Sequence, residues 1–290
     1  MEQDAAPAVG RRRLAVELRR LRTSSGRTIQ EVAQALECSA GKISRVETGA
    51  VGARVQDVRE MLDLYGVTGG ARNDLLDLVR QARQKPWWFA YADIMPRDSA
   101  RFFGLQHGAA AIHEYSVVLV PGLLQTEGYA TALIGAGLDA TTASDGAGTV
   151  ARRRIELRMR RRSLLLGTEP PTFHVVIDEA VLHRLVGGPQ VMASQLRHLL
   201  AIGQLPHVTI QVLPFTKGQY AAMGAPFVLF EFAEPDDQRV VYLEQPSRNI
   251  YLERPDEVSL YVDLFTDLAK QALTTERSTI LIEDRATALS

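Results

Sequence analysis

The chain has 290 residues, of which 46% are hydrophobic and 23% are charged, a balance typical of a globular protein of about two domains. A single cysteine, Cys38, excludes an internal disulfide and most zinc-site spacings. No apolar run approaches the roughly 20 residues that span a bilayer, and the acidic start, with Glu2 and Asp4, is unlike a signal peptide. We therefore expect a cytoplasmic protein.

The net charge of −1 conceals a division along the chain. Residues 1–85 contain 15 basic and 11 acidic side chains, whereas the remaining residues contain 18 basic and 23 acidic ones. A basic N-terminal part is suited to contact with phosphates, and an acidic remainder argues against DNA as its own main ligand. The two parts are therefore expected to do different things.

The N-terminal part is predicted to be a bundle of helices. Residues 1–10 lack periodicity and indicate a flexible arm, after which Leu14, Leu18 and Leu21 mark an amphipathic helix that Gly26 ends. Four more helices are marked by their apolar residues: Ile29, Val32, Ala33 and Leu36; Ile43 and Val46; Val55, Val58, Met61, Leu62 and Tyr65; and Leu75, Leu76, Val79 and Ala82. A tight turn at Glu37-Cys38 joins the second and third helices. Residues 11–85 therefore predict an all-α helix-turn-helix domain.

The third helix of this bundle has the features of a DNA-recognition helix. Ser39 is a preferred N-cap, Gly49 is a preferred stop, and Ile43 and Val46 form the inward face. Small outward residues allow the helix backbone to approach base edges in the major groove. The predicted DNA-binding residues are Thr28, Gln30, Ser39, Ala40, Gly41, Lys42, Ser44, Arg45 and Arg54. Lys42 and Arg45 are the long donors in this set, and the protein would associate with the nucleoid when bound.

The segment from Thr28 to Leu36, followed by Ser-x-x-Lys-Ile-Ser-Arg-Val-Glu-x-Gly at 39–49, resembles the phage-repressor helix-turn-helix called the XRE family. The distance of that motif from the Val32-Ala33 pair carries the resemblance. It implies a repressor-like, sequence-specific regulator of transcription that binds its operator as a dimer. In one departure, the family usually has Gln at the second residue of helix two, where its amide touches DNA, and this chain has Ile29.

Residues 86–110 form an aromatic linker that includes the only two tryptophans, Trp87 and Trp88. One interpretation buries these rings between the two domains. The other makes them one wall of a ligand pocket at the domain junction.

The C-terminal part, residues 111–285, predicts an α+β domain with a mixed sheet of about five strands, covered on one face. The strands are predicted at 173–177, 208–213, 227–232, 240–243 and 250–252, and residues 112–120 fit a further buried strand or an extended segment. Helices are predicted at 191–205, 257–273 and 278–284, and residues 136–148 read as a surface loop.

A basic helix is predicted at 151–166, where seven arginines occur. Arg154, Arg158 and Arg161 fall at i, i+4 and i+7 and share one face. They are either a solvated face with salt bridges to the acidic domain, or a surface that binds an acidic partner protein or further DNA phosphates.

Five stretches in order resemble the large C-terminal domain of actinomycete WhiJ-like regulators: Trp87-Trp88, residues 120–126, 178–182, 212–215 and 242–244. The resemblance implies an antitoxin-like regulator that acts with a small partner protein of the BldB-like group. We expect this domain to support dimerisation and to sense that partner or a small-molecule effector. An antitoxin-like interaction module, whose main role is to bind the partner, is the alternative. The candidate contact residues are Trp87, Trp88, Gln125, Tyr129, Arg154, Arg158, Arg161, Glu179 and Glu244.

A DNA-tethered enzyme is the third class of function. Asp178, Glu179 and Glu244 are predicted at strand ends, where carboxylates can perform acid and base catalysis, but they also suit helix capping or ion pairs with His183 or Arg184. The histidines show no metal-site spacing, and no phosphate loop or nucleophile motif occurs. We expect no catalytic site, no metal and no cofactor.

Overall fold

The computed structural model describes residues 6–49, 51–82, 86–95, 99–136, 147–233, 238–245 and 248–289. The chain divides into two compact units, one of residues 1–90 with 103–108 and the other of residues 91–102 with 109–290. Most of the predicted loop at 136–148 lies outside the described residues. In the part of the chain that the structure describes, no helix is long and apolar enough to cross a membrane.

The first unit contains the five predicted helices. They are α1 (Ala6–Ser24), α2 (Ile29–Ala35), α3 (Ala40–Glu47), α4 (Val55–Leu64) and α5 (Gly69–Ala82). The expected flexible arm is wrong for residues 6–10, because α1 begins at Ala6. Alanine is the best helix former and Pro7 is tolerated in a first turn, so this short stretch needs no hydrophobic periodicity to be helical.

Local signals set the ends of these helices. Thr28 caps α2 through a capping box with Glu31, and Ser39 caps α3. Gly26, Gly49 and Gly66 follow α1, α3 and α4 with φ of 70°, 69° and 72°, a conformation that glycine adopts without steric cost. The buried stripes of the five helices, which include Leu14, Leu18, Val32, Ile43, Val58, Met61 and Val79, meet in one hydrophobic core.

The aromatic segment is more ordered than the sequence suggests. A 3₁₀ helix spans Trp87–Tyr91, and a further helix, α6, spans Ser99–Gly108. The low amphipathicity of α6 explains why hydrophobic periodicity does not reveal it.

The second unit is built on a mixed sheet of six strands. They are β1 (Ala111–Ser116), β2 (Thr172–Asp178), β3 (Val208–Leu213), β4 (Phe227–Glu231), β5 (Val240–Leu243) and β6 (Ile250–Leu252), in the order β3-β2-β1-β4-β5-β6. β1, β2 and β3 are parallel, whereas β4, β5 and β6 each run antiparallel to the preceding neighbour. The five strands predicted beyond residue 172 are confirmed, and β1 is the sixth.

In the described part of the chain, this sheet is accompanied by the start of α6 and by α7 (Glu127–Gly135), α8 (Ala147–Arg162), α9 (Ala180–His183), α10 (Pro189–Ile202), α11 (Pro255–Gln271) and α12 (Thr275–Thr287). On one face, Phe265 and Leu268 of α11 pack against side chains such as Tyr115 and Val176. On the other, Phe102 of α6 packs against Phe230. The expectation that only one face is covered is therefore wrong, because the strands carry apolar residues on both faces.

The outer edge of β3 is covered by the connection between α11 and α12. Leu273 N donates to Val212 O at 2.8 Å, and Val212 N donates to Ser278 Oγ at 2.9 Å. The amide of Gln211 also donates to Leu273 O at 2.8 Å. These bonds occupy backbone groups that an open sheet edge would present to another chain.

One carboxyl group lies on the inner side of this unit. Glu114 belongs to β1, and burial raises its pKa to about 7, although the nearby Arg161 of α8 opposes the change. Burial also lowers the pKa of Arg161, to about 10. Both residues are only partly exposed.

Glu114 should make the second unit less stable as the pH rises. The folded pKa lies above the ordinary value of 4.5, so the protonated carboxyl favours folding below about pH 4.5, and this contribution is lost as the pH rises through about 7. The loss should be roughly 3 kcal/mol, since one pKa unit corresponds to about 1.4 kcal/mol. Urea unfolding at several pH values should show that the free energy of unfolding declines as the pH rises, and Glu114→Gln should remove this decline. Glu169→Gln, at an exposed turn, should keep the decline, and equal pH slopes in all three proteins would contradict the assignment.

Candidate nucleic-acid interface

The outward face of α3 is small and open to solvent. Gly41, Ser44 and Arg45 are exposed, whereas Ile43 and Val46 are buried in the helical core. A Cβ atom added at Gly41 would meet no atom within 4 Å. At Gly41 and Ser44, α3 therefore presents backbone and a short side chain rather than bulk, which is the surface that close approach to a groove requires.

Two arginines on this side of the helical unit carry unneutralised charge. Among the residues that the structure describes, the guanidinium groups of Arg45 and Arg54 form no hydrogen bond or ion pair, and both residues are exposed. Arg45 lies on α3, and Arg54 immediately precedes α4. Free guanidinium groups are available to bases or phosphates without first giving up a protein partner.

Lys42, the other long donor predicted for α3, is held within the protein. Its Nζ atom lies 2.7 Å from Oδ2 of Asp57, which belongs to the first turn of α4. The Lys42 backbone N also donates to Ser39 Oγ at 3.2 Å, completing the N-cap of α3. Lys42 is therefore paired with a carboxylate and Arg45 is not, although the sequence predicts the same DNA-binding role for both.

The remaining predicted contacts surround α2. Thr28 is exposed but accepts a hydrogen bond from Glu31 N at 3.2 Å, while Thr28 N donates to Glu31 Oε2 at 2.7 Å. The bond that the Glu31 carboxylate accepts from Thr28 N, with a second from Thr28 Oγ1 at 3.0 Å, lowers the pKa of Glu31. Gln30 is exposed, and Ile29 is partly buried against the helical core. Ile29 thus packs inward and offers no amide to DNA.

A buried ion pair fixes α3 to α1. Arg22 Nε donates to both carboxylate oxygens of Glu47, at 2.8 and 3.0 Å, and Arg22 Nη1 donates to Arg27 O at 2.8 Å. The Glu47 side chain is only 3% exposed. Hydrogen bonding to Glu47 raises the pKa of Arg22, and the pair joins the last turn of α1 to the last residue of α3.

The tryptophans are buried in an aromatic cluster of the first unit. Trp87 Nε1 donates to His107 Nε2 at 3.1 Å, and the ring of Trp88 lies 4.9 Å from that of His107. Both indoles also contact Phe103. Their polar and apolar surfaces are thus engaged within the protein.

The arginine face of α8 turns toward its own unit. Arg158 Nη1 donates to Gln125 Oε1 at 3.0 Å, and Arg154 Nε donates to Ile94 O at 3.3 Å. Arg161 lies over the ring of Phe102, with its Cζ atom 5.1 Å from the ring centroid. The helical spacing therefore identified a shared face, but that face contacts the protein itself.

The other candidate contact residues of the second unit do not gather at one place. Buried Gln125 donates to Val120 O at 2.7 Å, and the hydroxyl of buried Tyr129 accepts from Val120 N at 3.1 Å. Glu179 accepts from Phe215 N at 2.7 Å, and Glu244 is exposed after β5. The structure brings together Gln125, Tyr129 and Arg158, and Glu244 lies near Arg161 of the same arginine face, whereas Glu179 bonds elsewhere, to Phe215.

An open groove of about 740 Å³ lies along α8 beside α7. Its lining consists of Glu127, Gly148, Ala151, Arg152, Ile155, Glu156, Met159 and Arg160. None of the predicted contact residues is in this set. Within the described ranges, no group of three or more His, Cys, Asp or Glu side chains is arranged to hold a metal ion.

Sequence reasoning missed three charged residues at the interface. Arg22 and Glu47 form the buried pair, and Asp57 holds Lys42. The position of Glu47 four residues after Ile43, on the inward face of α3, was a usable signal, because a carboxylate there needs a buried partner. No local pattern pairs Lys42 with Asp57.

The fold and this interface define the class of the protein. Residues 13–75 match the family model described as a helix-turn-helix domain, so the chain is a DNA-binding regulator of the helix-turn-helix class. Residues 99–284 match a domain of unknown function, DUF5753, and the chain belongs to that family. No curated protein and no solved structure matches the chain significantly.

Loss of the buried ion pair should destabilise the helical unit strongly. Arg22→Met leaves the Glu47 carboxylate buried without its partner, which should cost about 3–5 kcal/mol. The double variant Arg22→Met/Glu47→Leu should recover much of that loss, because neither charge remains. Urea unfolding of the full chain, followed by far-UV circular dichroism, measures both.

The matched control is Arg80→Met, which breaks the exposed pair between Arg80 and Asp77. It should cost less than about 1 kcal/mol. If Arg22→Met and Arg80→Met lower the free energy of unfolding by similar amounts, burial does not increase the cost of breaking the pair between Arg22 and Glu47.

Proposed function

We propose that the protein is a transcription regulator that places the outward face of α3 in the major groove of its operator. The observation that supports this most directly is the unneutralised Arg45 on an open, glycine-containing helix face, with Arg54 beside the next helix. Arginine is the commonest reader of guanine edges, and a cation near a helix start is suited to a phosphate. Ser44 adds a short hydroxyl between Gly41 and Arg45.

We propose a dimer as the binding form. One α3 presents few long side chains, so a single helical unit should bind DNA modestly. Two linked units convert the second contact into an intramolecular event and raise the affinity without new contacts. Helix-turn-helix dimers bind half-sites one helical turn apart, which makes the spacing a measurable consequence.

For the second unit we propose binding rather than catalysis. Asp178 accepts hydrogen bonds from Ala180 N at 2.8 Å and Tyr220 Oη at 2.5 Å, and Glu179 accepts from Phe215 N at 2.7 Å. Carboxylates committed to such contacts act as structural caps. The resemblance to WhiJ-like regulators supports a small BldB-like protein as the ligand, with a small-molecule effector as the second candidate.

Selection from a random duplex library tests the DNA-binding function. The full-length protein should enrich a sequence with two related half-sites about one helical turn apart. Genome-wide mapping with and without the small partner then tests whether the partner changes occupancy. Failure to enrich any sequence would overturn the proposal, and enrichment of a single half-site would overturn the dimer.

Arg45→Ala should weaken binding to the selected operator by about 1–3 kcal/mol, because it removes a base or phosphate contact. Fluorescence anisotropy at fixed salt measures the loss. Arg80→Ala on α5 removes an exposed arginine of the same unit and should bind like the wild type. Unchanged affinity of Arg45→Ala would remove Arg45 from the interface.

Gly41→Ala should change stability and DNA binding in opposite directions. Alanine in a helix is favoured over glycine by roughly 0.5–1 kcal/mol, and the added methyl meets no protein atom within 4 Å. The same methyl would stand between the helix backbone and the base edges, so operator affinity should fall. Thermal unfolding and anisotropy measure the two effects.

Gly70→Ala is the matched control for this substitution. Gly70 lies in the first turn of α5, and a Cβ there also meets nothing within 4 Å. It should stabilise the unit without changing DNA affinity. Wild-type affinity for Gly41→Ala would show that the start of α3 does not approach DNA closely.

A further inference from the structure

The recognition helix carries a lysine whose charge is already neutralised. Lys42 Nζ and Asp57 Oδ2 are 2.7 Å apart, and the side chains are 33% and 17% exposed. Lys42 is the third residue of α3 and Asp57 the third residue of α4. The pair therefore bridges the starts of two helices on the side that carries Arg45 and Arg54.

This arrangement separates two kinds of DNA contact. Attraction of lysine to phosphates is independent of sequence and dominates non-specific binding, whereas base contacts distinguish sites. A lysine at the start of α3, left free, would add one phosphate-binding charge at every site on the genome. Its pairing with Asp57 removes that charge without removing the side chain.

The pair should also persist when DNA is bound. Transfer of Lys42 to a phosphate would leave the Asp57 carboxylate unpaired beside the negatively charged backbone. The gain of one phosphate contact would then be opposed by a new repulsion. Arg45 and Arg54 have no such restraint, because they form no ion pair within the described residues.

We propose that Asp57 is a specificity-determining residue that keeps Lys42 from DNA phosphates. It lowers non-specific affinity and leaves discrimination to Arg45, Ser44 and the backbone at Gly41. This inference rests on the proposed function, since it concerns how the same α3 face reads DNA. According to this proposal, the charge of Lys42 is offset by Asp57, and Lys42 does not make the direct DNA contact that the sequence predicts.

The salt dependence of binding to a short duplex of random sequence tests the proposal. Affinity of the full-length protein is measured by anisotropy across a salt series for the wild type, Lys42→Met, Asp57→Asn and the double variant. Asp57→Asn should bind about five- to tenfold more tightly at ~0.1 M salt, with a log–log slope steeper by about 0.9, because one more phosphate is neutralised. The double variant, which removes both charges, should keep the wild-type slope, whereas Lys42→Met should bind more weakly because it leaves Asp57 unpaired.

Asp63→Asn is the matched control, since it removes an exposed carboxylate from the same helix, where Asp63 pairs with Arg72 at 2.5 Å. Its slope should equal that of the wild type. Thermal unfolding confirms that each variant is folded, and Asp57→Ser, which removes the same charge, replaces Asp57→Asn if that variant unfolds.

Three results would overturn the proposal. A slope shallower by about 0.9 in the double variant would show that Lys42 contacts a phosphate in the wild type. An unchanged slope in Asp57→Asn would show that Asp57 does not restrain Lys42. An equally steeper slope in Asp63→Asn would show that the effect comes from the net charge of the protein and not from the pairing of Lys42 with Asp57. Absence of duplex binding by every variant at low salt is a different outcome, because it would overturn the proposed function itself.

Discussion

The buried ion pair between Arg22 and Glu47 sets the position of α3 within the helical unit. α3 has only eight residues, and so short a helix has little stability of its own. The two hydrogen bonds from Arg22 Nε fix its last turn to α1, while Ile43 and Val46 fix its inner face to the core. Burial and the nearby Glu47 raise the pKa of Tyr65, so this corner of the core holds a neutral phenol beside a matched pair of charges.

The interface that this constraint presents is selective in its charges. Within the described residues, Arg45 and Arg54 form no ion pair, whereas Lys42 pairs with Asp57. An excess of basic residues in the first 85 therefore overstates the unpaired positive charge at α3. Attraction to phosphates strengthens binding to every DNA sequence equally. A recognition helix with fewer free cations therefore has a higher ratio of specific to non-specific affinity. In the dimer that we propose, the second unit would restore affinity without adding non-specific charge to each unit.

In the second unit, the three arginines that share one face of α8 contact the protein itself. Arg154 and Arg158 donate to groups of their own unit, and Arg161 lies against Phe102 on one face of the sheet. The periodicity of 3.6 residues shows which side chains share a helix face, but it does not show whether that face meets solvent, a partner or the protein. The mixed sheet likewise buries both faces, because Phe102 and α11 approach it from opposite sides.

The amino-acid sequence is sufficient to predict the elements that depend on neighbours close along the chain. The caps at Thr28 and Ser39, the stop at Gly49 and the five strands beyond residue 172 all follow from local chemistry and periodicity. Three features are apparent only in the folded chain: β1 lies between β2 and β4, Glu47 pairs with Arg22, and Lys42 pairs with Asp57. These contacts join residues separated by 15 positions or more, and no local pattern specifies them. They form only when hydrophobic burial brings whole elements together, so the charge available to DNA is a property of the fold.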